Sequence, residues 1–283
     1  MKSVIEADHL RKDFKDKTAV NDISFSIEEG EIFGFLGHNG AGKTTTIRML
    51  TGQISPTSGQ CRVAGFNSAT EQHLLKPYIG VVADVQNLYE RMSGFENLKL
   101  FADLFDVKKE RVHELLELIQ LQHQGRKKVE TYSNGMRQRL LIARALLHDP
   151  DVIFLDEPTR GLDPTSAKDI RETIKNLASS GTTIFLTTHN MEEADDLCHR
   201  VAFIKNGELM ALDTPQNLKI MHGERSIAIT LTNNEKIRIP MSNQSDFRQL
   251  LEHLDGKDIQ TVHSLEATLE NVFIKIAGQE SGQ

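Results

Sequence analysis

The stretch FLGHNGAGKTT fits the spacing G-x-x-x-x-G-K-[ST], with its first glycine at Gly37 and its last residue at Thr44. An apolar run precedes it and a helical pattern follows, the setting in which such a loop wraps phosphate. Glycines let the chain turn back so that its amides converge, and the helix N-terminus adds partial positive charge. The residues placed around the anion are Gly37, His38, Asn39, Gly40, Ala41, Gly42, Lys43, Thr44 and Thr45, with Lys43 reaching the β- and γ-phosphates and the Thr44 hydroxyl on Mg²⁺. The chemistry to expect is that of a nucleoside triphosphate.

Cleaving the triphosphate requires a second hold on the metal and a group that activates water. VIFLDEP supplies both candidates at a strand end: Asp156 for Mg²⁺, directly or through water, and Glu157 to polarise the attacking water. Adjacent strand residues point to opposite faces, so the two carboxylates serve one site only where the strand stops. Read alone, an Asp-Glu pair after an apolar strand is more often a solvated turn; beside a phosphate loop it reads as functional. His189 closes the run TTIFLTTH and falls at the same carboxyl edge, where parallel α/β folds collect ligands. A lone histidine is usually structural; this one is expected to contact the γ-phosphate.

These groups need a frame. Strand-like segments over residues 18–26 and 31–36 lead into a helix starting near Lys43. Apolar runs at 151–155 and 182–187 then alternate with helical patterns at 166–178 and 191–198, the rhythm of a parallel α/β sheet. Between these blocks, 95–104 and 109–121 carry apolar residues at helical spacing, which predicts a helical insertion over about 88–148. After Gly223, alternating runs at 226–232 and 236–240 joined by Asn233-Asn234 predict a hairpin. A helix at 245–254, a short strand and a last helix at 267–277 complete a small α+β appendix over 223–283, with the closing GQESGQ expected to fray.

With 283 residues, 39% of them hydrophobic and 26% charged, the chain can bury a large core, or a large and a small one. A net charge of −7 gives no general reason to bind nucleic acid or anionic lipid. Two distant cysteines, Cys61 and Cys198, fit a reducing compartment and supply no zinc spacing. MKSVIEADHLRKDF lacks the apolar stretch of a signal peptide, and no apolar run approaches a bilayer span. The expectation is a cytoplasmic chain whose membrane role goes through a partner.

Taken in order, the segments 37–45, 132–136, 152–157 and 161–163, with His189, resemble the nucleotide-binding subunit of the ATP-binding cassette (ABC) transporters, over roughly residues 2–220. The phosphate loop is shared with many nucleotidases, whereas YSNGM resembles a signature segment far more specific to this family. The resemblance implies a P-loop cassette over 1–222, with a RecA-like α/β core, an antiparallel β subdomain and a helical subdomain, that closes as a head-to-tail dimer on ATP and Mg²⁺. Each ATP would lie between the phosphate loop of one chain and the signature segment Ser133, Asn134, Gly135 and Met136 of the other. A full set of catalytic residues favours a homodimer, and coupling to an integral-membrane permease would hold it on the inner face of the cell membrane. Phe14 in RKDFKDKTAV is similar to the aromatic that stacks on adenine, Asp163 in GLDP to the residue that communicates across the dimer, and His189 to the switch histidine.

Two positions depart from the family pattern. Asp84 stands where a glutamine usually senses metal and the permease; it offers oxygen to Mg²⁺ but no amide donor, and Gln86 lies two residues on. Asn134 replaces the commonest glycine of the signature, and asparagine tolerates positive φ better than most residues. The ending SLEATLENVFIKIAG resembles the tail of export-type members, including drug, antibiotic and sodium efflux ATPases and some lipid exporters; Leu265, Leu269, Val272, Phe273 and Ile276 have helical spacing there. The leading expectation is therefore the ATPase subunit of an exporter. A soluble ABC ATPase acting on ribosomes or DNA is the alternative, but the ribosomal type usually carries two cassettes and the DNA type a long coiled coil between its motifs. A binding-only switch has no need of Glu157 and His189.

Overall fold

The computed structural model describes residues 3–84, 87–223, 226–240, 248, 259–265 and 267–278. The chain divides into two units, Met1–Leu212 and Asp213–Gln283. Elements follow in order as β1 (Ser3–Phe14), β2 (Lys17–Glu28), β3 (Ile32–Leu36), α1 (Lys43–Leu50), β4 (Ser58–Val63), β5 (Phe66–Asn67), α2 (Gln72–Leu75) and β6 (Ile79–Val82). Three helices come next, α3 (Gly94–Leu104), α4 (Lys109–Leu118) and α5 (Asn134–Ala145), then β7 (Val152–Asp156), α6 (Pro164–Ser179), β8 (Thr183–Thr188), α7 (Met191–Leu197), β9 (Arg200–Lys205) and β10 (Glu208–Asp213).

A six-stranded sheet runs β10-β9-β3-β8-β7-β6, and the pairs β3/β8, β3/β9, β6/β7 and β7/β8 are parallel. Strands β3, β7 and β8 are buried at every position, so their sequences read as continuous apolar runs rather than alternation. An antiparallel sheet, β2-β1-β4-β5, packs on it through stacked rings: Phe25 of β2 lies 5.6 Å from Phe33 of β3, which lies 5.9 Å from Phe185 of β8. Each fully buried ring of this kind contributes about 1.5–3 kcal/mol. Register does the positioning. Leu36 pairs with Thr188 and Asp156 with Thr187, so the loop after β3, Glu157 after β7 and His189 after β8 leave the sheet at one edge.

The expected helical insertion is present as α3, α4 and α5. Helix α3 starts from a capping box in which Ser93 and Glu96 bond each other's backbone, and Leu98, Val112, Leu115, Leu140 and Leu141 are buried on its inner faces and those of its neighbours.

The second unit contains α8 (Pro215–His222), β11 (Ser226–Leu231), β12 (Lys236–Pro240), β13 (Ile259–Leu265) and α9 (Leu269–Gly278), with strand order β12-β11-β13. The predicted hairpin is there, turning at Asn234 with φ 66°. Its division from the first unit falls at Leu212/Asp213 rather than at 222/223, because α8 packs with α9. Leu269, Val272 and Phe273 of α9 are buried as predicted, but Leu265 ends β13 instead of joining the helix, pairing with Ser226. Of the helix predicted at 245–254 only Arg248 is described, and it is helical; residues 279–283 of the closing segment lie outside the described residues.

Candidate functional site

Helix α1 opens on Gly42 at φ 117°, where a Cβ would lie 2.6 Å from the Ala19 carbonyl oxygen, so only glycine fits. Its first turn has no side-chain cap and no acidic residue, whereas α3, α5, α6 and α7 are capped by Ser93, Ser133, Asp163 and Asn190. A helix start without an internal acceptor is suited to an external anion. Lys43 folds back over the loop and donates to the Gly37 carbonyl at 2.6 Å and the His38 carbonyl at 3.3 Å.

Asp156, 4% exposed, ends β7 with both oxygens engaged: the Thr44 hydroxyl donates to Oδ2 at 2.9 Å and the Thr187 hydroxyl to Oδ1. Thr44 and Asp156 thus bring two hard oxygen donors together, a set that suits a small divalent cation completed by phosphate oxygens and water. Among the described residues no group of three or more His, Cys, Asp or Glu could hold a metal without such help.

The backbone then makes a turn that resolves the two-face problem. Glu157 adopts φ 53°, a left-handed conformation that costs a non-glycine residue about 1–2 kcal/mol. Its amide is held by the Thr187 carbonyl at 3.1 Å and the Thr187 hydroxyl at 3.2 Å, which fixes the turn in place. The carboxylate is consequently swung to the site and bracketed. Lys43 Nζ stands 3.2 Å from Oε1 as a charge contact without hydrogen-bond alignment, and His189 donates from Nδ1 to Oε2 at 2.7 Å. Lys43 and Glu157 side chains are 6% and 8% exposed, His189 about half.

A cleft of about 370 Å³ is lined by Phe14, His38, Asn39, Gly40, Gly42, Lys43, Thr44, Thr45, Asp84, Asp156 and Glu157. Gly37 and Ala41 lie beneath it, buried. Phe14, 47% exposed at the end of β1, presents a ring over which Lys12 Nζ sits at 5.2 Å. Three lining residues escaped sequence reasoning: Lys17, Ala19 and Arg160. The first two lie three and five positions beyond Phe14, and Arg160 three beyond Glu157, so proximity to assigned residues was the available signal. Arg160 pairs with Asp84 at 3.6 Å, both side chains half exposed. Gln86, the alternative, lies outside the described residues.

Ser133, Asn134, Gly135, Met136 and Asp163 do not line this cleft. Ser133 caps α5 by accepting from the Met136 amide at 3.2 Å, which leaves its hydroxyl proton free to donate elsewhere. Asn134 is the first helical residue, not at positive φ and not the cap, so the backbone argument for glycine there fails. Gly135 is held by proximity instead: a Cβ would lie 2.4 Å from Ser166 Oγ of α6. Asp163 caps that same helix, accepting from the Ser166 amide at 3.0 Å, and this bonding holds its carboxyl below the usual aspartate range.

Fold and site together define a P-loop nucleoside triphosphate hydrolase. Residues 20–160 match the family model for the ABC transporter. The chain is 38% identical to the fluoroquinolones export ATP-binding protein MT2762 of Mycobacterium tuberculosis (strain CDC 1551 / Oshkosh), covering 93% of this chain and 88% of that protein. It is 34% identical to the bacitracin transport ATP-binding protein BcrA of Bacillus licheniformis, over 98% of both. Among solved structures it is similar to the ATP-binding subunit of an ABC transporter (26% identity, TM-score 0.70, 78% of this chain and 93% of the other). A second is the cassette MJ0796 in a dimeric post-hydrolysis state bound to ADP and Pi (25% identity, TM-score 0.68, 74% and 98%). The chain belongs to the ABC transporter family, as an ATP-binding, ATP-hydrolysing subunit.

Proposed function

We propose that this chain powers an exporter, pairing with a second copy of itself and driving a separate integral-membrane permease from the inner face of the cell membrane. The observation that carries the reading is the convergence at one sheet edge of an uncapped helix start, the Thr44–Asp156 oxygen pair and the Lys43–Glu157–His189 cluster. Relatives named for export of fluoroquinolones and bacitracin support the direction of transport. No helix among the described residues is long and apolar enough to cross a membrane, in keeping with a separate permease.

In this reading the amides at the start of α1 and the Lys43 ammonium hold the β- and γ-phosphates of ATP, while Phe14 stacks on the adenine. Thr44 and Asp156, with Asp84, would hold Mg²⁺, which when bound would supply neutralisation of the phosphate charge. Glu157 takes the proton from the attacking water, and His189, hydrogen-bonded to that carboxylate, fixes its orientation and approaches the γ-phosphate. Ser133, Asn134, Gly135 and Met136 close on the γ-phosphate held by the facing copy, and Asp163, at the neighbouring helix start, relays that closure. Their absence from the cleft of their own chain supports a partner's contribution, as does the dimeric state of the MJ0796 cassette. The helical part, about 88–148, and the appendix after 222 would transmit and modulate the stroke.

Affinity purification from detergent-solubilised membranes, with identification of the co-purifying proteins and assay of ATPase activity, tests the reading. An integral-membrane partner that stimulates hydrolysis is expected. Recovery with ribosomes or DNA and no membrane protein would favour the soluble alternative.

A further inference from the structure

Four residues beyond His189 lies a carboxyl group that the proposed chemistry does not use. Glu193, in the first turn of α7, is 1% exposed. Its Oε2 accepts from the Thr188 hydroxyl at 2.9 Å, and its Oε1 has no hydrogen-bond partner. The Thr188 oxygen in turn accepts from the Asn190 amide at 3.0 Å, and Asn190 Oδ1 accepts from the Glu192 and Glu193 amides, each at 3.1 Å. The result is a closed ring of bonds through the residues on either side of His189, anchored at its buried end by the Glu193 carboxyl.

A carboxyl in this position is costly for stability. Burial raises its pKa above the ordinary glutamate value, against the pull of the Thr159 and Thr188 hydroxyls and Arg171 and with the nearby Glu157 acting in the same direction as burial. A leucine of similar size would fill the space beneath α7 without leaving an orphaned oxygen. What leucine does not offer is an acceptor for Thr188, and without it the Asn190 amide alone would hold the Thr188 side chain to α7.

We propose that Glu193 is the positioning residue of the His189 turn, holding the imidazole in register with Glu157 through Thr188 and Asn190. The proposal rests on the reading of Glu157 and His189 as the hydrolytic pair. The ring spans both flanks of a residue whose own side chain is half exposed and makes its one recorded bond, 2.7 Å long, to Glu157. An exposed ring of this kind keeps its place only if its backbone is held from the buried side.

The test is a mutant cycle read by kcat, by KM and by direct binding of a fluorescent ATP analogue, in the full chain. Glu193→Ala is expected to lower kcat by roughly 10- to 100-fold, the scale of a displaced catalytic group, while nucleotide affinity changes less than about twofold. Glu193→Gln keeps an acceptor for Thr188 and is expected to recover most of the rate. In a His189→Ala background, Glu193→Ala should add no further loss, since it acts through the imidazole. Thr188→Val, close to isosteric, gives the same cycle if the alanine variant does not fold. Losses that multiply in the double variant, or affinity that falls in step with kcat, overturn the positioning role. His189→Ala at the native rate would instead overturn the reading of the hydrolytic pair itself.

Discussion

Lys43 Nζ stands 3.2 Å from Glu157 Oε1 within a pair of nearly buried side chains, joining the lysine proposed to bind phosphate to the carboxylate proposed to activate water. The contact sets a cation against a carboxylate in a nearly buried place. With Lys43 binding phosphate as proposed, phosphate and Glu157 compete for the one ammonium group. Glu157→Gln removes that competition as well as the base. It is expected to bind ATP at least as tightly as the native chain, to lower turnover by roughly 10²- to 10⁴-fold and to accumulate an ATP-bound pair of copies. Size-exclusion with light scattering and phosphate release measure this; native-rate hydrolysis would take Glu157 out of its role.

Lys43→Ala leaves Glu157 as a nearly buried carboxylate without its cation and deletes a charge-assisted contact to phosphate. Nucleotide affinity is expected to weaken roughly 10- to 100-fold, from about 1.5–3 kcal/mol for such a bond. Equilibrium binding checks it, and unchanged affinity together with unchanged activity would refute the phosphate assignment.

Ser133→Arg places a long cation at the exposed start of α5. In a Glu157→Gln background it is expected to bind ATP as a single chain yet not to pair, whereas Asn134→Gly pairs and hydrolyses normally. Because Asn134 is already helical, its replacement by glycine should cost stability, by about a few tenths of a kcal/mol, the gap between asparagine and glycine as helix formers. A Ser133→Arg chain that still pairs on ATP would show that the segment faces elsewhere.

Among the described residues Asp84→Ala breaks an exposed ion pair with Arg160, worth about 0.2–1 kcal/mol, so the melting temperature should fall by less than about 3 °C. The Mg²⁺ concentration for half-maximal hydrolysis is expected to rise severalfold. If Gln86→Ala raises it and Asp84→Ala does not, the inter-lobe role belongs to Gln86.

Cys61 and Cys198 are both buried, and burial raises both thiols, Cys198 well above its ordinary value. Neither should react with iodoacetamide in the native chain at pH 8, whereas both should react in guanidinium. Mass spectrometry of the alkylated protein decides it.

The site was legible in the sequence wherever chemistry is written in local spacing. The phosphate loop, Asp156-Glu157 and His189 each close an apolar strand, and the parallel register brings those ends together without any further specification. Strand β1 was not legible, because register shifts between Ala7 and Leu10, with His9 at φ 47°, break the two-residue alternation by which a half-buried strand is recognised. Strands β9 and β10 left a signal that went unused: Asn206-Gly207, at φ 51° and 85°, is the dipeptide a tight hairpin turn favours. Long-range contacts were beyond reach. Neither the seat of Gly135 on Ser166 nor the pairing of Arg160 with Asp84 follows from spacing, since each joins segments that only the fold makes neighbours.

The left-handed backbone at Glu157 also bears on history. Glycine or asparagine would sit there more comfortably, and a lineage retained only for its fold, or only to bind nucleotide, would gain stability by drifting to either. A glutamate at that position is held against the chain's own folding preference, as expected of a residue placed there for turnover rather than for architecture.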